Sequence, residues 1–317
     1  VYFNDEGFDF LNRFVAEQHP SKIFLLADKH TNECCTPIVL SVLATDIPLE
    51  IIEIEAGETH KHIDTCTQVW YALSELGADR KSLLINIGGG VVTDLGGFVA
   101  STYMRGIPFI NIPTSLLAMV DASVGGKTGV DLGALKNLVG VINNPQGVVI
   151  YPDFLATLPT EELRSGMAEM FKHGLISDEA YWHKMCNLSE LTEAHLGSLI
   201  YESVVIKNEV VTQDPTEKGL RKTLNYGHTL GHAIESYCLQ NPNRERLLHG
   251  EAIAIGMVLA TYLSVKELGF SMDKCNQVKA VLGEYFKKQD FSYEEITDIC
   301  QLMRFDKKNV GGNVHFV

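Results

Sequence analysis

The first half of the chain alternates short apolar runs with segments of helical spacing. The apolar runs are short enough for strands and cover 22–28, 49–55, 82–87, 108–112 and 147–151. Between them, apolar residues recur at helical spacing over 31–43, 63–76 and 93–103. Strands that alternate with helices predict a mainly parallel, Rossmann-like sheet that binds ligands at the carboxyl ends of its strands. We place this α/β domain at residues 1–153.

From residue 154 onward the pattern changes to consecutive helices. Helical spacing covers 161–174, 179–185, 191–211, 229–239, 252–268, 273–286 and 294–303. We therefore expect an all-α domain at 154–317. A chain of 317 residues is long for a single hydrophobic core, which also favours two domains.

Three histidines in the second half could bind a metal ion. His228 and His232 are four residues apart, so both imidazoles project from one face of a helix. His249 precedes a long apolar run, 252–269, that predicts a buried helix. Convergent imidazoles with a carboxylate suit zinc. The alternative is a pair of histidines that only form hydrogen bonds in the core.

Charge narrows the class of ligand. The net charge of −14 disfavours nucleic acid and anionic membranes as partners. Each basic residue alone could be a solvated surface charge, but several lie within glycine-rich or polar motifs, which together indicate an anionic small molecule. These residues are Arg105, Lys127, Lys136, Lys172, Lys207 and Arg221.

Cysteine usage and hydropathy indicate the compartment. The seven cysteines are scattered, and none forms a Cys-x-x-Cys pair. This argues against a disulfide framework and for a reducing environment. No apolar run reaches the length needed to cross a bilayer. We therefore expect a cytoplasmic protein with no membrane partner.

A glycine run marks a candidate phosphate site. The strand predicted at 82–87 runs into Gly88, Gly89 and Gly90, and Asp94 lies in the helix that follows. Backbone N–H groups and the helix dipole at such a junction can face an anion. The Gly-x-Gly-x-x-Gly fingerprint is absent, so a tight strand-to-helix turn is the alternative. Asp28, at the end of the first predicted strand, could bind ribose hydroxyls or could cap a helix.

Two further motifs carry charged residues in unusual surroundings. In the segment 120–131, Asp121 offers an acceptor or base, and Lys127 offers a cation beside two glycines. In the segment 166–172, Glu169 and Lys172 lie three apart among apolar residues. A surface ion pair is one interpretation; a buried glutamate with a strong partner fits the apolar neighbours better.

Several motifs together resemble the 3-dehydroquinate synthase family. The resemblance runs from about Asp28 to the last residues, with one departure at Leu135, where the family usually has glycine and where we expect a local loop change. The motifs are Thr102-Tyr-Met-Arg105-Gly, Asp121-Ala-Ser-Val-Gly-Gly-Lys127, Met167-Ala-Glu169-Met-Phe-Lys172, Leu224-Asn225-Tyr-Gly-His228-Thr-Leu-Gly-His232, Leu248-His249-Gly-Glu251 and Asp306-Lys307-Lys308-Asn309.

The resemblance implies two cofactors. It implies zinc, with cobalt as an alternative, held by Glu169, His228 and His249, and it places His232 beside the substrate phosphate instead. It also implies NAD+ bound in the first domain. The cofactor-binding residues would be Asp28, Glu58, Lys61, Gly89, Gly90, Asp94, Thr114, Ser115, Lys127 and Lys136.

The implied substrate is 3-deoxy-D-arabino-heptulosonate 7-phosphate, a phosphorylated sugar acid of the shikimate pathway. The implied steps are oxidation by bound NAD+, phosphate elimination, reduction by the same cofactor, ring opening and intramolecular aldol closure. Phosphate would be held by Lys127, Arg105, Lys308, Asn225 and His232, and the carboxylate and hydroxyls by Arg221, Lys207, Lys136 and Asn137; Asp121 and Lys172 complete the catalytic set.

The resemblance also implies a homodimer in which Arg105 enters the neighbouring subunit's phosphate site. Three other readings remain open: a metal-dependent polyol dehydrogenase, a sister sugar-phosphate cyclase, and a non-enzymatic module that binds NAD and metal. The cluster of Lys127, Asn137, Arg221, Asn225 and His232 argues against the first, because a dehydrogenase needs no phosphate pocket.

Overall fold

The computed structural model describes residues 1–133, 135–187, 193–303, 314 and 316–317. The chain divides into two compact units, Val1–Pro159 and Thr160–Val317. The first is α/β and the described part of the second contains only helices and turns, which confirms the predicted fold class. Lys308, predicted to hold phosphate, lies outside the described residues.

The first unit contains eight strands and five α-helices in its described part. The strands are β1 (Tyr2–Phe3), β2 (Ile23–Asp28), β3 (Leu49–Ile54), β4 (Leu83–Gly88), β5 (Phe109–Pro113), β6 (Lys127–Leu132), β7 (Leu135–Ile142) and β8 (Gly147–Ile150). The helices are α1 (Asn4–Gln18), α2 (Lys29–Cys34), α3 (Thr36–Val42), α4 (Ile63–Glu75) and α5 (Gly90–Thr102).

Six strands form one parallel sheet in the order β1-β8-β5-β4-β2-β3. β2 and β4 are central and buried, as the unbroken apolar runs of a sheet covered on both faces should be. The chain leaves β2 towards β3 and leaves β4 towards β5, in opposite directions along the sheet. A crevice for ligands is expected where two such strands end side by side, which here is at Asp28 and Gly88.

Three features of the first unit differ from the sequence-based expectations. The helix expected over 31–43 is two helices, α2 and α3, because Pro37 lies in the first turn of α3 and favours a new helix start there. β1 and α1 were not predicted. β6 and β7 form an antiparallel hairpin that was not predicted, and β7 begins at Leu135, where only a local loop change was expected.

The described part of the second unit contains seven α-helices. They are α6 (Thr160–Ile176), α7 (Glu179–Cys186), α8 (Glu193–Gln213), α9 (His228–Gln240), α10 (His249–Leu268), α11 (Met272–Tyr285) and α12 (Tyr293–Leu302). α10 contacts α6, α9 and α11, so it is central to the unit. No helix in the part of the chain that the structure describes is both long and apolar enough to cross a bilayer.

An arginine connects the loop before α10 to the start of α12. Arg244 donates from Nε to Glu295 Oε1 (2.6 Å) and from Nη2 to Glu295 Oε2 (2.5 Å). Its guanidinium also lies 4.9 Å from the centroid of the Phe291 ring. The hydrogen bonds from Arg244 lower the pKa of Glu295 to about 2.

Glu295→Gln should therefore lower the melting temperature of the second unit at neutral pH, by an amount that depends on pH. Because the folded-state pKa is depressed, the carboxylate stabilises the fold fully above its unfolded pKa of about 4.3. That contribution is lost as pH falls towards about 2. Thermal melts of both proteins across this range should converge at low pH. A gap that stays constant would show that the charge of Glu295 contributes nothing.

Candidate functional site

A buried glutamate in the second unit lies between two imidazoles. Glu169, on α6, is fully buried, and its Oε1 lies 3.4 Å from His228 Nε2 and 3.5 Å from His249 Nε2. Oε1 has no hydrogen-bond partner among the described residues, while Oε2 accepts a hydrogen bond from Lys172. Two ligands at 2.0–2.1 Å from a tetrahedral zinc are themselves roughly 3.4 Å apart. The three side chains therefore fit a divalent cation.

The other ring nitrogens of these two histidines are already engaged. His228 Nδ1 lies 3.1 Å from the Tyr226 carbonyl oxygen, and His249 Nδ1 lies 3.3 Å from Glu235 Oε2. Metal-binding histidines usually donate their second N–H to a carbonyl or a carboxylate, which fixes the tautomer and leaves the opposite nitrogen for the metal. The arrangement leaves Nε2 of both rings facing Glu169.

His232 lies close to the same point. One ligand atom from each of His228, His232 and His249 can be chosen so that all lie within 4.8 Å of one another. The three histidines alone could thus supply a metal site, as the spacing of His228 and His232 suggested. The assignment of Glu169 in place of His232 remains a prediction, supported by the buried Oε1.

The electrostatics of the three groups are coupled. Burial raises the pKa of Glu169, but Lys172 and His228 lower it by more, so the pKa lies well below its usual range. Burial lowers the pKa of His228, and the positive charge of Lys172 lowers it further. Burial also lowers the pKa of His249, but the nearby carboxylates of Glu169 and Glu235 raise it overall to about 9. Metal ligation by His249 requires that its extra proton leave.

Close packing of α6 and α10 brings the predicted metal ligands Glu169 and His249 together. The backbone N–H of Gly250, next to His249, donates to Ser165 Oγ on α6 at 2.9 Å. A Cβ at Gly250 would lie 2.0 Å from the Ser165 carbonyl oxygen. Only glycine therefore allows the start of α10 to approach α6 this closely.

Gly250→Ala should destabilise the second unit by about 1–3 kcal/mol, because the added methyl must push two backbones apart. Gly283→Ala is the matched control, since Gly283 lies on α11 with no atom within 4 Å of an added Cβ. Replacing a helical glycine at an open position should stabilise by about 0.5–1 kcal/mol. Denaturant unfolding of both variants measures the difference. Equal stability of the two would show that the α6–α10 contact is not tight.

Three basic residues of the predicted substrate site are buried in the second unit. Lys172, Lys207 and Arg221 are 1%, 6% and 2% exposed, which is rare for such side chains unless they have partners. They lie on α6, on α8 and on the turn Leu220–Asn225, and both helices contact that turn. The structure thus brings these residues into one region of the unit.

Two acidic residues that the sequence reading missed fix this turn. The Asp214 carboxylate accepts hydrogen bonds from the backbone N–H groups of Lys218, Gly219 and Arg221 at 2.9, 2.7 and 3.1 Å. Glu217 Oε1 accepts from Asn225 Nδ2 at 2.6 Å. No local pattern marks either acid, because each acts on residues of a turn that has no regular spacing.

In the first unit, the glycine run lies at the start of a helix, as predicted. Gly89 is the single residue between β4, which ends at Gly88, and α5, which begins at Gly90. Thr114, just past β5, donates its backbone N–H to the Gly88 carbonyl at 3.0 Å. A Cβ at Gly89 would lie 3.2 Å from Ser115 Oγ, so a side chain there would crowd the junction. The bare N-terminus of α5 suits a phosphate group.

Lys61 connects Asp94, a predicted cofactor residue, to Asn137 of the β6–β7 hairpin. It is 4% exposed, and its Nζ donates to Asp94 Oδ2 and to Asn137 Oδ1, both at 2.6 Å. Lys136 forms an ion pair with Glu58 at 3.4 Å. Burial lowers the pKa of Lys61, but Asp94 and Glu58 raise it more, so its pKa lies above the usual value. The structure therefore gathers these five predicted residues into one cluster.

Asp28 has a structural role in addition to any role at the cofactor. Its Oδ1 accepts hydrogen bonds from the backbone N–H groups of His30 and Thr31 at 2.9 and 3.0 Å and caps α2. This is the helix-capping alternative that the sequence left open. Binding of ribose by Asp28 remains a prediction.

Two exposed cations of the predicted substrate site, Lys127 and Arg105, lie in or next to segments with positive φ angles. Lys127 is exposed and follows Gly125 and Gly126, whose φ angles are 103° and 70°. Asp121 is half-buried in the helical turn Ala118–Ala122. Arg105 is exposed in the turn Tyr103–Arg105 that follows α5.

Two family models match consecutive parts of the chain. The model for the N-terminal part of 3-dehydroquinate synthase matches residues 51–165, and the model for the C-terminal part matches residues 166–309. The chain belongs to the 3-dehydroquinate synthase family. The resemblance inferred from the motifs is thereby confirmed.

Relatives of this 3-dehydroquinate synthase family member match over most of its length. The 3-dehydroquinate synthase of Parabacteroides distasonis is 44% identical over 308 residues, which are 96% of this chain and 86% of the relative. That of Leptospira interrogans is 41% identical over 304 residues, which are 94% of this chain and 82% of the relative.

Two solved structures of sugar-phosphate cyclases have a similar fold. A 2-deoxy-scyllo-inosose synthase with carbaglucose-6-phosphate, NAD+ and Co2+ has a TM-score of 0.81 at 25% identity and covers 95% of this chain and 82% of its own. A 2-epi-5-epi-valiolone synthase from Streptomyces hygroscopicus with NAD+ and Zn2+ has a TM-score of 0.81 at 27% identity, covering 95% and 86%. An iron-containing alcohol dehydrogenase from Thermococcus thioreducens, at 14% identity and a TM-score of 0.68, shares the fold alone.

Proposed function

We propose that this chain converts 3-deoxy-D-arabino-heptulosonate 7-phosphate to 3-dehydroquinate and phosphate. The observation that carries the proposal is the match of consecutive family models to residues 51–309, which span both units. Identity to the named 3-dehydroquinate synthases, 41–44%, also exceeds the 25–27% to the two sister cyclases. A different carbocycle as product is therefore less well supported.

The chain is proposed to bind NAD+ and a divalent cation, zinc or cobalt. When bound, NAD+ accepts and returns one hydride, and the cation acidifies the hydroxyl that is oxidised. Glu169, His228 and His249 would hold the cation, for the reasons of distance and burial given above. The N-terminus of α5 and the cluster around Lys61 would hold the dinucleotide.

The remaining residues are proposed to bind and orient the substrate. Cationic side chains with fixed partners bind phosphate and carboxylate groups through charge-assisted hydrogen bonds. Asn225, fixed by Glu217, and His232 would meet the phosphate, and Arg221 would meet the carboxylate. Lys172, bonded to Glu169, would keep that carboxylate ionised. Lys127, Lys136, Lys207 and Asn137 would hold the other polar groups, as the family motifs imply.

We further propose a homodimer in which Arg105 acts on the neighbouring subunit's site, in the reducing cytoplasm. Arg105 is exposed, and no ion pair or hydrogen bond of its guanidinium is found among the described residues. The seven cysteines are free thiols, which suits that compartment.

Product identity tests the activity against its main rival. The purified protein is given the heptulosonate phosphate, NAD+ and zinc, and the products are separated and identified by mass. The proposal predicts 3-dehydroquinate and inorganic phosphate, and no oxidation of glycerol. A polyol dehydrogenase would oxidise glycerol and release no phosphate from the sugar acid.

A further inference from the structure

Glu235 is a buried acid that none of the sequence motifs or roles above explains. It lies on α9, seven residues after His228, and therefore two helical turns further along the same face. It is 5% exposed, and an ionised carboxylate in such surroundings is costly unless it is paired. The position of Glu235 therefore demands a partner that compensates its burial.

That partner is a metal-site histidine on another helix. Glu235 Oε2 lies 3.3 Å from Nδ1 of His249, the first residue of α10, while Nε2 of the same ring lies 3.5 Å from Glu169 Oε1. The imidazole of His249 thus has one carboxylate at each nitrogen. A proton on Nδ1 that is donated to Glu235 leaves Nε2 as the ligating nitrogen.

The two histidines that face Glu169 are held differently. The His228 side chain is 8% exposed, and its Nδ1 faces only a neutral backbone carbonyl, so packing fixes the ring. The His249 side chain is 24% exposed, so packing fixes its ring less. A charged acceptor forms a stronger hydrogen bond than a neutral one. The charged acceptor, Glu235, therefore lies at His249, whose ring is held less by packing.

We propose that Glu235 is a positioning residue for the metal site. Its carboxylate accepts the Nδ1 proton of His249, fixes the tautomer and orientation of the ring, and thereby raises the affinity of the site for a divalent cation. This inference rests on the proposed function only in that the site binds such a cation.

The test measures zinc binding in three variants of the full chain. Glu235→Ala removes the acceptor, Glu235→Gln keeps a neutral acceptor of the same size, and Tyr237→Phe is the control. Tyr237 is two residues along α9, and its hydroxyl contacts Asn241 and Glu295 rather than a histidine. Zinc affinity is obtained by competition with a chromophoric chelator. Melting of the metal-free proteins reports folding separately.

Glu235→Ala should weaken zinc binding by about 10–100-fold, as loss of an outer hydrogen-bond partner does in other zinc sites. Glu235→Gln should weaken it less, and should also shift the visible absorption bands of the cobalt-loaded protein, which a purely structural role would leave unchanged. Tyr237→Phe should match the wild type in both measurements. Should Glu235→Ala not fold, the isosteric Glu235→Gln carries the test.

The inference is overturned if Glu235→Gln has wild-type zinc affinity and an unshifted cobalt spectrum, and if any folded Glu235→Ala also has wild-type zinc affinity. That result would leave the proposed function intact. Failure of the wild type itself to bind zinc or cobalt would instead overturn the metal site of the proposed function. The two failures are therefore distinguishable.

Discussion

Arg105→Ala is expected to lower turnover by about 100- to 1,000-fold, the loss that follows removal of one preorganised contact to developing charge. The arginine is exposed, yet its backbone is held in an unusual conformation. Met104 and Arg105 have φ angles of 49° and 70°, in the left-handed region that costs a non-glycine residue about 1–2 kcal/mol. A strained and exposed arginine is typical of a residue kept for function.

The turn itself is well anchored. The backbone N–H of Gly106 donates to Tyr103 O, and that of Ile107 to Ala100 O, both at 2.8 Å. Arg105→Gly should therefore fold at least as stably as the wild type, because glycine accepts this φ without strain. Its loss of activity would then be chemical. Arg80→Ala, which removes another exposed arginine of the same unit, is the control and should remain fully active.

Subunit mixing decides whether Arg105 acts on its own site or its neighbour's. Lys127→Ala should be nearly inactive as well, for the same electrostatic reason. When the two inactive variants exchange subunits, a mixed dimer has one site with both wild-type residues only if Arg105 acts across the interface. Activity should then return in part. A mixture that stays inactive after exchange would show that Arg105 serves its own subunit.

Glu169→Gln and His228→Ala should each lose zinc affinity by more than the roughly 100-fold that loss of an outer partner causes. Glu169 Oε1 and His228 Nε2 lie 3.4 Å apart, and Oε1 has no hydrogen-bond partner among the described residues, so both atoms are placed to bind the ion. His232→Ala should keep one zinc per chain and still lose activity, because His232 is assigned to the phosphate.

Two ligand sets are possible, because His228, His232 and His249 could form a metal site without Glu169. Zinc content and affinity of the three variants separate the two ligand sets. Loss of zinc in His232→Ala, with zinc retained in Glu169→Gln, would replace the family's assignment with the three-histidine site.

Elements with a strong local signal were predictable from the sequence. β2 and β4 are unbroken apolar runs because both faces of the sheet are covered. β1 has only two residues, Tyr2 and Phe3, which is too short for any periodicity. The hairpin was missed because β7 is mostly exposed on both faces and shows no apolar alternation.

The candidate site was predictable where a motif carried it, and hidden where it depended on another helix. His228 and His249 were found from their spacing and sequence context. Glu235 was not, because its partner lies on α10 and no spacing within α9 marks that contact. Asp28 was left open between two roles, and the structure reveals its helix cap, which any acid before a helix can form.

The most direct test of the proposed activity is a single reaction with a large excess of substrate over NAD+, in which phosphate, 3-dehydroquinate and NADH are quantified together. Since the same cofactor accepts and returns the hydride, phosphate and 3-dehydroquinate should form in equal amounts far beyond the NAD+ supplied, with no accumulation of NADH. NADH that rises in step with product, and product that stops when NAD+ is exhausted, would contradict the proposal and indicate a dehydrogenase.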